Sequence, residues 1–296
     1  MTRAGTGHRM RGMKTIWCFV LMLLGLGVAQ AAQLKVASLH PLLSEMARSI
    51  GGEDVEVVDL FPANGDLHTF APGSKQMAAA ADADMLLACG KGIEPYLAEL
   101  TESMSADTVV VGLGRDIPNV YLPNSNRIDP HWWNTPENMK RASRTLLAEF
   151  CRQMPEKQAE FTARQKKYAA SMDTLTRKAR LAFRKIPQNR RYLVTGHAAL
   201  CHFCEEFGFT PITIHGISKE SEGDTATLAA LLTDLRSKDV RCIFTEVGAS
   251  PKILEVIAEQ LGVPTAPLVL DGVFPGQQSY EKLFMHNVNT ISNNLK

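Results

Sequence analysis

The chain has 296 residues, of which 45% are hydrophobic and 21% are charged, and this composition excludes an intrinsically disordered protein. Its length is sufficient for one large hydrophobic core or for two smaller ones. With 32 basic and 31 acidic residues the formal net charge is +1, so no overall field attracts nucleic acid or an anionic membrane. Local groups of side chains must therefore carry the function.

The first 32 residues have the pattern of an export signal. An apolar run, IWCFVLMLLGLGVA, follows several basic residues and leads to the small-residue pattern Ala29-Gln30-Ala31. The run is shorter than the ~20 residues that span a bilayer, so we expect residues 1–32 to be cleaved and the mature protein to be periplasmic. Cys18 lies inside the run and not at its end, which disfavours a lipoprotein. Translation from Met13 instead of Met1 would also leave a complete signal.

Strand-like and helix-like stretches alternate on both sides of one long helical stretch. Before it, the predicted strands are LKVAS, VEVVDLF, DMLLAC and TVVVGL, with helices between them. After it, the predicted strands are YLVTG, ITIHG, VRCIFTE and APLVLD, each followed by a helix. Such alternation predicts parallel sheets covered by helices, so the expected fold class is α/β with two lobes.

The long helical stretch covers residues 155–185 and begins with Pro155, which suits the first position of a helix. At ~1.5 Å per residue it would be ~46 Å long, longer than a small domain needs. We therefore expect a backbone helix that joins two lobes; the alternative is a core helix of one large domain. Apolar or small residues recur three, four or seven positions apart and predict its buried face: Phe161, Tyr168, Met172, Leu175, Ala179 and Ala182.

The predicted organisation has three parts after the signal. Residues 33–134 form an N-terminal lobe, and residues 187–296 form a C-terminal lobe. Residues 135–186 supply the connecting helices, the first of which begins at Thr135-Pro136-Glu137 and runs to about Gln153.

Removal of Cys18 leaves five of the six cysteines, an odd number for an oxidising compartment. Cys89 and Cys242 lie in apolar runs and are expected to be buried. Cys201 and Cys204 are three residues apart on a predicted helix, a spacing compatible with a disulfide. If that helix begins near His197, Cys201 lies one turn later on the same face and could supply a thiolate ligand. Two ordinary thiols are the third alternative.

Histidines and carboxylates follow the ends of the predicted strands. Ligands in open parallel sheets bind beyond the carboxyl ends of the strands, so two lobes facing each other there would form one cleft. Imidazole nitrogens and a carboxylate suit a divalent transition metal. The residues concerned are His68, His131, His197, Glu246 and Asp271.

Six motifs occur in a fixed order over nearly the whole mature chain. They are Gly65-Asp66-Leu67-His68-Thr69-Phe70-Ala71-Pro72, Ala83-Asp84 to Gly90-Lys91-Gly92-Ile93-Glu94-Pro95, Asp129-Pro130-His131-Trp132-Trp133 with Pro136-Glu137-Asn138, Thr195-Gly196-His197-Ala198, Phe244-Thr245-Glu246 with Ser250, and Leu270-Asp271. With these motifs the chain resembles the zinc- and manganese-type periplasmic solute-binding proteins of metal ABC transporters (cluster A-I). The resemblance implies two α/β lobes joined by a long helix.

By position, the resemblance implies that the metal ligands are His68, His131, His197 and Asp271. It implies that Glu246 is a neighbour that holds a ligand by hydrogen bonding. The chain departs from the family at Leu67, where proline is common, and at Ala198, where aspartate is common. It also lacks the histidine-rich loop that some zinc-specific members carry in the first lobe.

Other side chains near the predicted cleft have less specific expectations. Trp132 and Trp133 are expected to pack against the long helix or the interlobe seam; the alternative is that they close the site from water or face the transporter. His40 follows the first strand and is expected to line the cleft or, as the alternative, to bind metal. His202, His215 and His286 are expected to be surface or hydrogen-bonded side chains.

The predicted function is a receptor, not an enzyme, that delivers a divalent metal to the membrane permease of an ABC importer. Three imidazoles and one carboxylate favour Zn²⁺, with Mn²⁺ as the alternative. A secreted zinc hydrolase is the rival hypothesis, and a receptor for a chelated or organic ligand is the third. We expect the protein to act as a monomer.

Overall fold

The computed structural model describes Met1 and residues 33–62, 67–214, 225–271 and 279–296. The predicted signal peptide, apart from Met1, lies outside the described residues. So do the predicted turn at Asn64-Gly65-Asp66 and His215.

The first lobe is built on a four-stranded parallel sheet. Val36 in its first strand pairs with Val57 of the second strand and with Met85 of the third. The third strand is buried along its whole length, as expected of a parallel sheet with helices on both faces. The strands lie in the order β2-β1-β3-β4 and are β1 (Leu34–Ser38), β2 (Val55–Asp59), β3 (Met85–Ala88) and β4 (Val109–Gly112). The helices are α1 (Pro41–Gly51), α2 (Ser74–Ala80) and α3 (Leu97–Glu102).

The second lobe repeats the strand order of the first. Its four strands are again parallel and lie in the order β6-β5-β7-β8. The strands are β5 (Tyr192–Thr195), β6 (Thr210–Thr213), β7 (Ile243–Glu246) and β8 (Thr265–Leu268). The two helices α4 (Pro136–Gln153) and α5 (Gln158–Phe183) precede them, and the lobe's own helices are α6 (Cys201–Phe207), α7 (Thr225–Arg236), α8 (Lys252–Leu261) and α9 (Tyr280–Leu295).

The long helix predicted over residues 155–185 is α5, preceded by a 3₁₀ turn at Pro155–Lys157. Its 26 residues span ~39 Å. It contacts α1 in the first lobe and α9 in the second, so one helix packs against both lobes. Five of the six predicted face residues are buried, but Ala182 is only half-buried and Phe183 takes its place in the core.

The start of α4 is fixed by two residues that are typical of a helix N-terminus. Thr135 is the N-cap, and its side-chain oxygen accepts a hydrogen bond from the backbone N–H of Asn138. Pro136 occupies the first helical turn, where its missing N–H is not needed.

The predicted lobe boundaries near residues 134 and 186 stay a prediction. None of the helices in the described ranges combines the length and apolar character that a membrane span requires.

A half-buried carboxylate joins the two lobes on the side of α1. Glu45 of α1 accepts a hydrogen bond of 2.6 Å from the backbone N–H of Tyr280, the first residue of α9. Burial raises the pKa of Glu45 to about 7, and the hydrogen bond from Tyr280 opposes that rise only in part. Burial therefore favours the protonated carboxyl of Glu45, although the hydrogen bond from Tyr280 itself favours the ionised form.

This contact predicts that Glu45→Gln weakens the pH dependence of stability. In the metal-free wild type, the unfolded carboxyl ionises near its ordinary pKa while the folded carboxyl stays protonated to about pH 7. The free energy of unfolding should therefore fall as pH rises from ~4.5 to ~7, with ~3 kcal/mol as the upper bound for this group. Glutamine keeps an oxygen for the Tyr280 N–H and has nothing to ionise.

Urea unfolding at pH 5 and pH 8 tests this. The exposed Glu53 provides the control Glu53→Gln, which should follow the wild type. An unchanged pH dependence in Glu45→Gln would contradict the prediction.

Candidate metal centre

Four side chains meet where the two lobes face each other. One ligand atom from each residue lies within 4.8 Å of the ligand atoms of the others. Each residue follows a strand that ends at this edge, as the sequence predicted: His68 after β2, His131 after β4, His197 after β5 and Asp271 after β8. The first two belong to one lobe and the last two to the other.

The distances suit a single small ion. The Nε2 atoms of His68 and His131 are 3.2 Å apart, and Nε2 of His197 lies 3.9 Å from Oδ1 of Asp271. Two ligand atoms bound to one tetrahedral zinc at ~2.0–2.1 Å are ~3.3–3.4 Å apart. These two separations are therefore within ~0.6 Å of the separation expected around a zinc ion.

Two of the imidazoles are fully buried, and each is held by a carboxylate. Nδ1 of His131 lies 2.7 Å from Oδ1 of Asp129. Nδ1 of His197 lies 2.5 Å from Oε2 of Glu246, whose Oε1 accepts the backbone N–H of His197 at 3.0 Å. A proton on Nδ1, shared with the carboxylate, leaves the Nε2 lone pair for the centre. The geometry agrees with the hydrogen-bonding role expected for Glu246.

Gly196 makes the close approach of Glu246 feasible. A Cβ atom at this position would lie 3.1 Å from Oε1 of Glu246, which is tighter than an ordinary contact. The glycine in Thr195-Gly196-His197 therefore serves the carboxylate that orients His197.

Asp129 is a functional residue to which sequence reasoning assigned no role. Its Oδ1 also accepts the backbone N–H of His131 at 2.9 Å, and its Oδ2 accepts the backbone N–H of Cys201 at 3.0 Å. Burial acts to raise the pKa of Asp129, but the hydrogen bonds and charge of His131 outweigh it and lower the pKa overall. Its position two residues before a candidate ligand in Asp129-Pro130-His131 was the available signal.

The residues after His131 bind the lobes together. The indole N–H of Trp133 donates to the carbonyl of Leu270 at 2.8 Å, directly before Asp271. The side-chain amide of Asn134 donates to the carbonyl of Ala199 at 3.0 Å. Trp132 and Trp133 are completely buried, in agreement with the packing role expected for them, and Trp133 reaches across the seam.

The two cysteines of α6 do not form a disulfide, and both are free thiols. Cys201 packs with Leu122 and Ala198, whereas Cys204 packs into the main hydrophobic core. Burial raises the pKa of Cys201 to about 12, so a thiolate ligand is disfavoured. Cys201 is also the first residue of α6, so it does not share a helical face with His197, and that expectation was wrong.

The other described histidines lie outside the cluster of four. His202 bridges Asn138 and the backbone carbonyl of Asp129, and Nε2 of His286 lies 3.2 Å from the carbonyl oxygen of Pro267. His40 is completely buried and packs against Trp133, so it lines the cleft. It is not one of the four grouped ligands.

Known proteins resemble this chain in both sequence and fold. The sequence model of the family described as "Zinc-uptake complex component A periplasmic" matches residues 36–294. The manganese-binding lipoprotein MntA of Bacillus subtilis is 25% identical over 282 residues, which cover 91% of this chain and 92% of that protein. The iron ABC transporter substrate-binding lipoprotein MtsA of Streptococcus pyogenes serotype M1 is 22% identical and covers 92% of each chain.

Among solved structures, the periplasmic zinc binding protein TroA from Treponema pallidum has the same fold. The superposition has a TM-score of 0.82 at 23% identity and covers 89% of this chain and 99% of that chain. The two-lobed α/β architecture predicted from the sequence is thereby confirmed.

We predict that Asp129→Asn destabilises the metal-free protein by ~2–4 kcal/mol, because an amide cannot accept all three N–H groups that the carboxylate accepts. The affinity for Zn²⁺ should also fall ~10–100-fold, since His131 loses its orienting partner. Urea unfolding and competition titration measure the two effects.

The control is Asp107→Asn, which changes an exposed carboxylate and should alter stability by less than ~0.5 kcal/mol. Equal changes of stability and zinc affinity in the two variants would refute the role of Asp129.

Proposed function

The chain belongs to the family of periplasmic zinc-uptake complex component A, and we propose that it is an extracytoplasmic receptor that binds Zn²⁺ and delivers it to the permease of an ABC importer. Without regard to which metal it binds, the chain is a metal-binding substrate-binding protein of an ABC transporter. The family resemblance predicted from the motifs is confirmed.

The observation that carries the proposal is the convergence of His68, His131, His197 and Asp271 from both lobes. An ion bound there would contact both lobes at once. It would neutralise the buried carboxylate of Asp271 and use the Nε2 lone pairs that the Nδ1 hydrogen bonds to Asp129 and Glu246 leave for the centre.

The donor set supports zinc over manganese. Three imidazoles and one carboxylate give four donors, and zinc is commonly four-coordinate with nitrogen ligands. Manganese prefers more oxygen donors. The names of relatives mention manganese, iron and zinc, so the preference is argued from this chain's own ligands.

The size of the centre supports a bare ion as the cargo. A chelate or organic molecule occupies a pocket of ~300–1,000 Å³. Ligand atoms within 4.8 Å of one another leave room for one ion. The family consists of receptors and not enzymes, so the secreted zinc hydrolase is not favoured.

Export is supported by the relatives, which are lipoproteins or periplasmic proteins. Cleavage of residues 1–32 and a monomeric state are parts of the proposal that rest on sequence alone.

We predict that the protein binds one zinc ion and that His68→Ala and Asp271→Ala each weaken binding at least ~100-fold by removing a ligand. Zinc at a thousandfold excess over Kd should stabilise the wild type by ~4 kcal/mol. Elemental analysis, competition titration and thermal melts provide the measurements.

His286→Asn is the matched control, because His286 lies on α9 outside the cluster. A wild-type melt that neither zinc nor a chelator changes would overturn the proposed function.

Replacing the imidazole of His197 by a carboxylate should move the metal preference of the centre toward Mn²⁺. The exchange must be made as His197→Glu with Glu246→Gln, because Glu246 lies 2.5 Å from the His197 ring and would repel a second carboxylate. The double variant offers more oxygen donors, so its ratio of Zn²⁺ to Mn²⁺ affinity should fall at least ~10-fold.

The control is Glu246→Gln alone, which keeps the imidazole ligand and an acceptor oxygen and should keep the preference for zinc. Competition titrations with both metals give the ratios. Tighter Mn²⁺ than Zn²⁺ binding by the wild type would show that zinc is the wrong assignment.

A further inference from the structure

Within the described part of the chain, only one of the two ring nitrogens of His40 makes a hydrogen bond. It is the N-cap of α1, and its Nδ1 accepts the backbone N–H of Leu42 at 3.1 Å. A nitrogen that accepts carries no proton, so the neutral ring has its proton on Nε2. Protonating both nitrogens would break the cap.

The Nε2–H group of His40 has no hydrogen-bond partner among the described residues, although the side chain is completely buried. A buried donor without a partner usually costs ~1–3 kcal/mol. Native proteins rarely keep such a group without a use for it.

The surroundings of His40 relate this donor to the metal centre. Its ring packs on Trp133 with ring centroids 4.7 Å apart, and Trp133 in turn packs on His131 at 5.3 Å. The indole N–H of Trp133 donates to the carbonyl of Leu270, the residue before Asp271.

The charges of Asp271 and His131 also act on His40. Burial lowers the pKa of His40 to about 3, with Asp271 opposing the shift and His131 adding to it. The two ionisable groups whose charges act on His40 are both candidate ligands.

We propose that His40 positions Asp271, by donating its Nε2–H to the carboxylate oxygen that the metal does not use. This inference rests on the proposed function. His131 is the less suitable acceptor, since its Nδ1 is held by Asp129 and its Nε2 faces His68.

The consequence concerns metal choice. A carboxylate whose second oxygen accepts a hydrogen bond binds through one oxygen, which keeps the centre four-coordinate. Four-coordination favours zinc, whereas manganese gains from a carboxylate that binds through both oxygens. His40 is thereby a specificity-determining residue outside the ligand set.

Two substitutions separate the donor from the helix cap. Asparagine places its oxygen where imidazole has Nδ1, so His40→Asn keeps the cap and removes the donor. Glutamine places its amide nitrogen where imidazole has Nε2, so His40→Gln keeps the donor and removes the cap. His40→Ser repeats the Asn test with a smaller capping side chain if the Asn variant does not fold.

The readouts are competition titrations with Zn²⁺ and Mn²⁺ and the visible spectrum of the Co²⁺-loaded protein, which distinguishes four-coordinate ions from higher coordination. We expect the ratio of Zn²⁺ to Mn²⁺ affinity to fall ~10-fold or more in His40→Asn and to stay near the wild-type value in His40→Gln. The Co²⁺ spectrum should lose four-coordinate character only in His40→Asn.

The opposite pattern would overturn the proposal. If His40 serves only as a cap, His40→Asn matches the wild type and His40→Gln alone loses stability. An equal loss of zinc preference in both variants would also overturn it, because the retained donor then has no effect. Failure of the wild type to bind either metal is a different outcome, and it would reject the proposed function itself.

Discussion

The hydrogen bonds accepted by the buried carboxylate of Asp129 are the constraint on which the centre depends most. One oxygen of this group holds the backbone and the ring of His131, and the other holds the first residue of α6 in the opposite lobe. The backbone carbonyl of Asp129 lies 3.1 Å from His202 of that same helix. A carboxylate with no exposed surface is tolerable only when its oxygens are satisfied, so the seam and the orientation of His131 depend on each other.

Sheet topology explains why the four side chains meet. Both sheets have the same strand order, so the carboxyl ends of their strands form equivalent edges. The ligands follow strands at these edges, and the helices that would carry them elsewhere in the fold begin only after the ligand positions. The strands fix where these loops start, and the imidazoles of His68 and His131, from two separate loops of the first lobe, come within 3.2 Å of each other.

The sequence predicted this arrangement where local patterns decide the structure. Every predicted strand lies close to its observed position, because short apolar runs bounded by turns have few alternatives. The approximate start of α6 was harder to predict. Residues before Cys201 form a tight turn, with the backbone N–H of Ala199 bonded to the carbonyl of His197, because Glu246 already holds the backbone of His197. That contact joins residues 49 positions apart, and no local pattern contains it.

The same limit applies to the partners of the ligands. Glu246 could be anticipated from a family motif, whereas the bond between Asp129 and Cys201 spans 72 positions and becomes visible only after both lobes fold. The disulfide suggested by the spacing of Cys201 and Cys204 fails for a related reason, since helix α6 directs the two thiols into separate clusters. Spacing along a helix determines which face a residue occupies, and tertiary packing determines what that face meets.

Rigidity between the lobes follows from the contacts that cross the seam. Helix α5 runs without a break past α1 and α9, and the two lobes are further joined through Trp133, Asn134 and Glu45. A hinge needs a few residues that can absorb a change in backbone angles, and a continuous helix offers none in its interior. Among the four candidate ligands, His131, His197 and Asp271 are buried and His68 alone is half-buried. We therefore expect the proposed ion to exchange with solvent on the side of His68, without separation of the lobes.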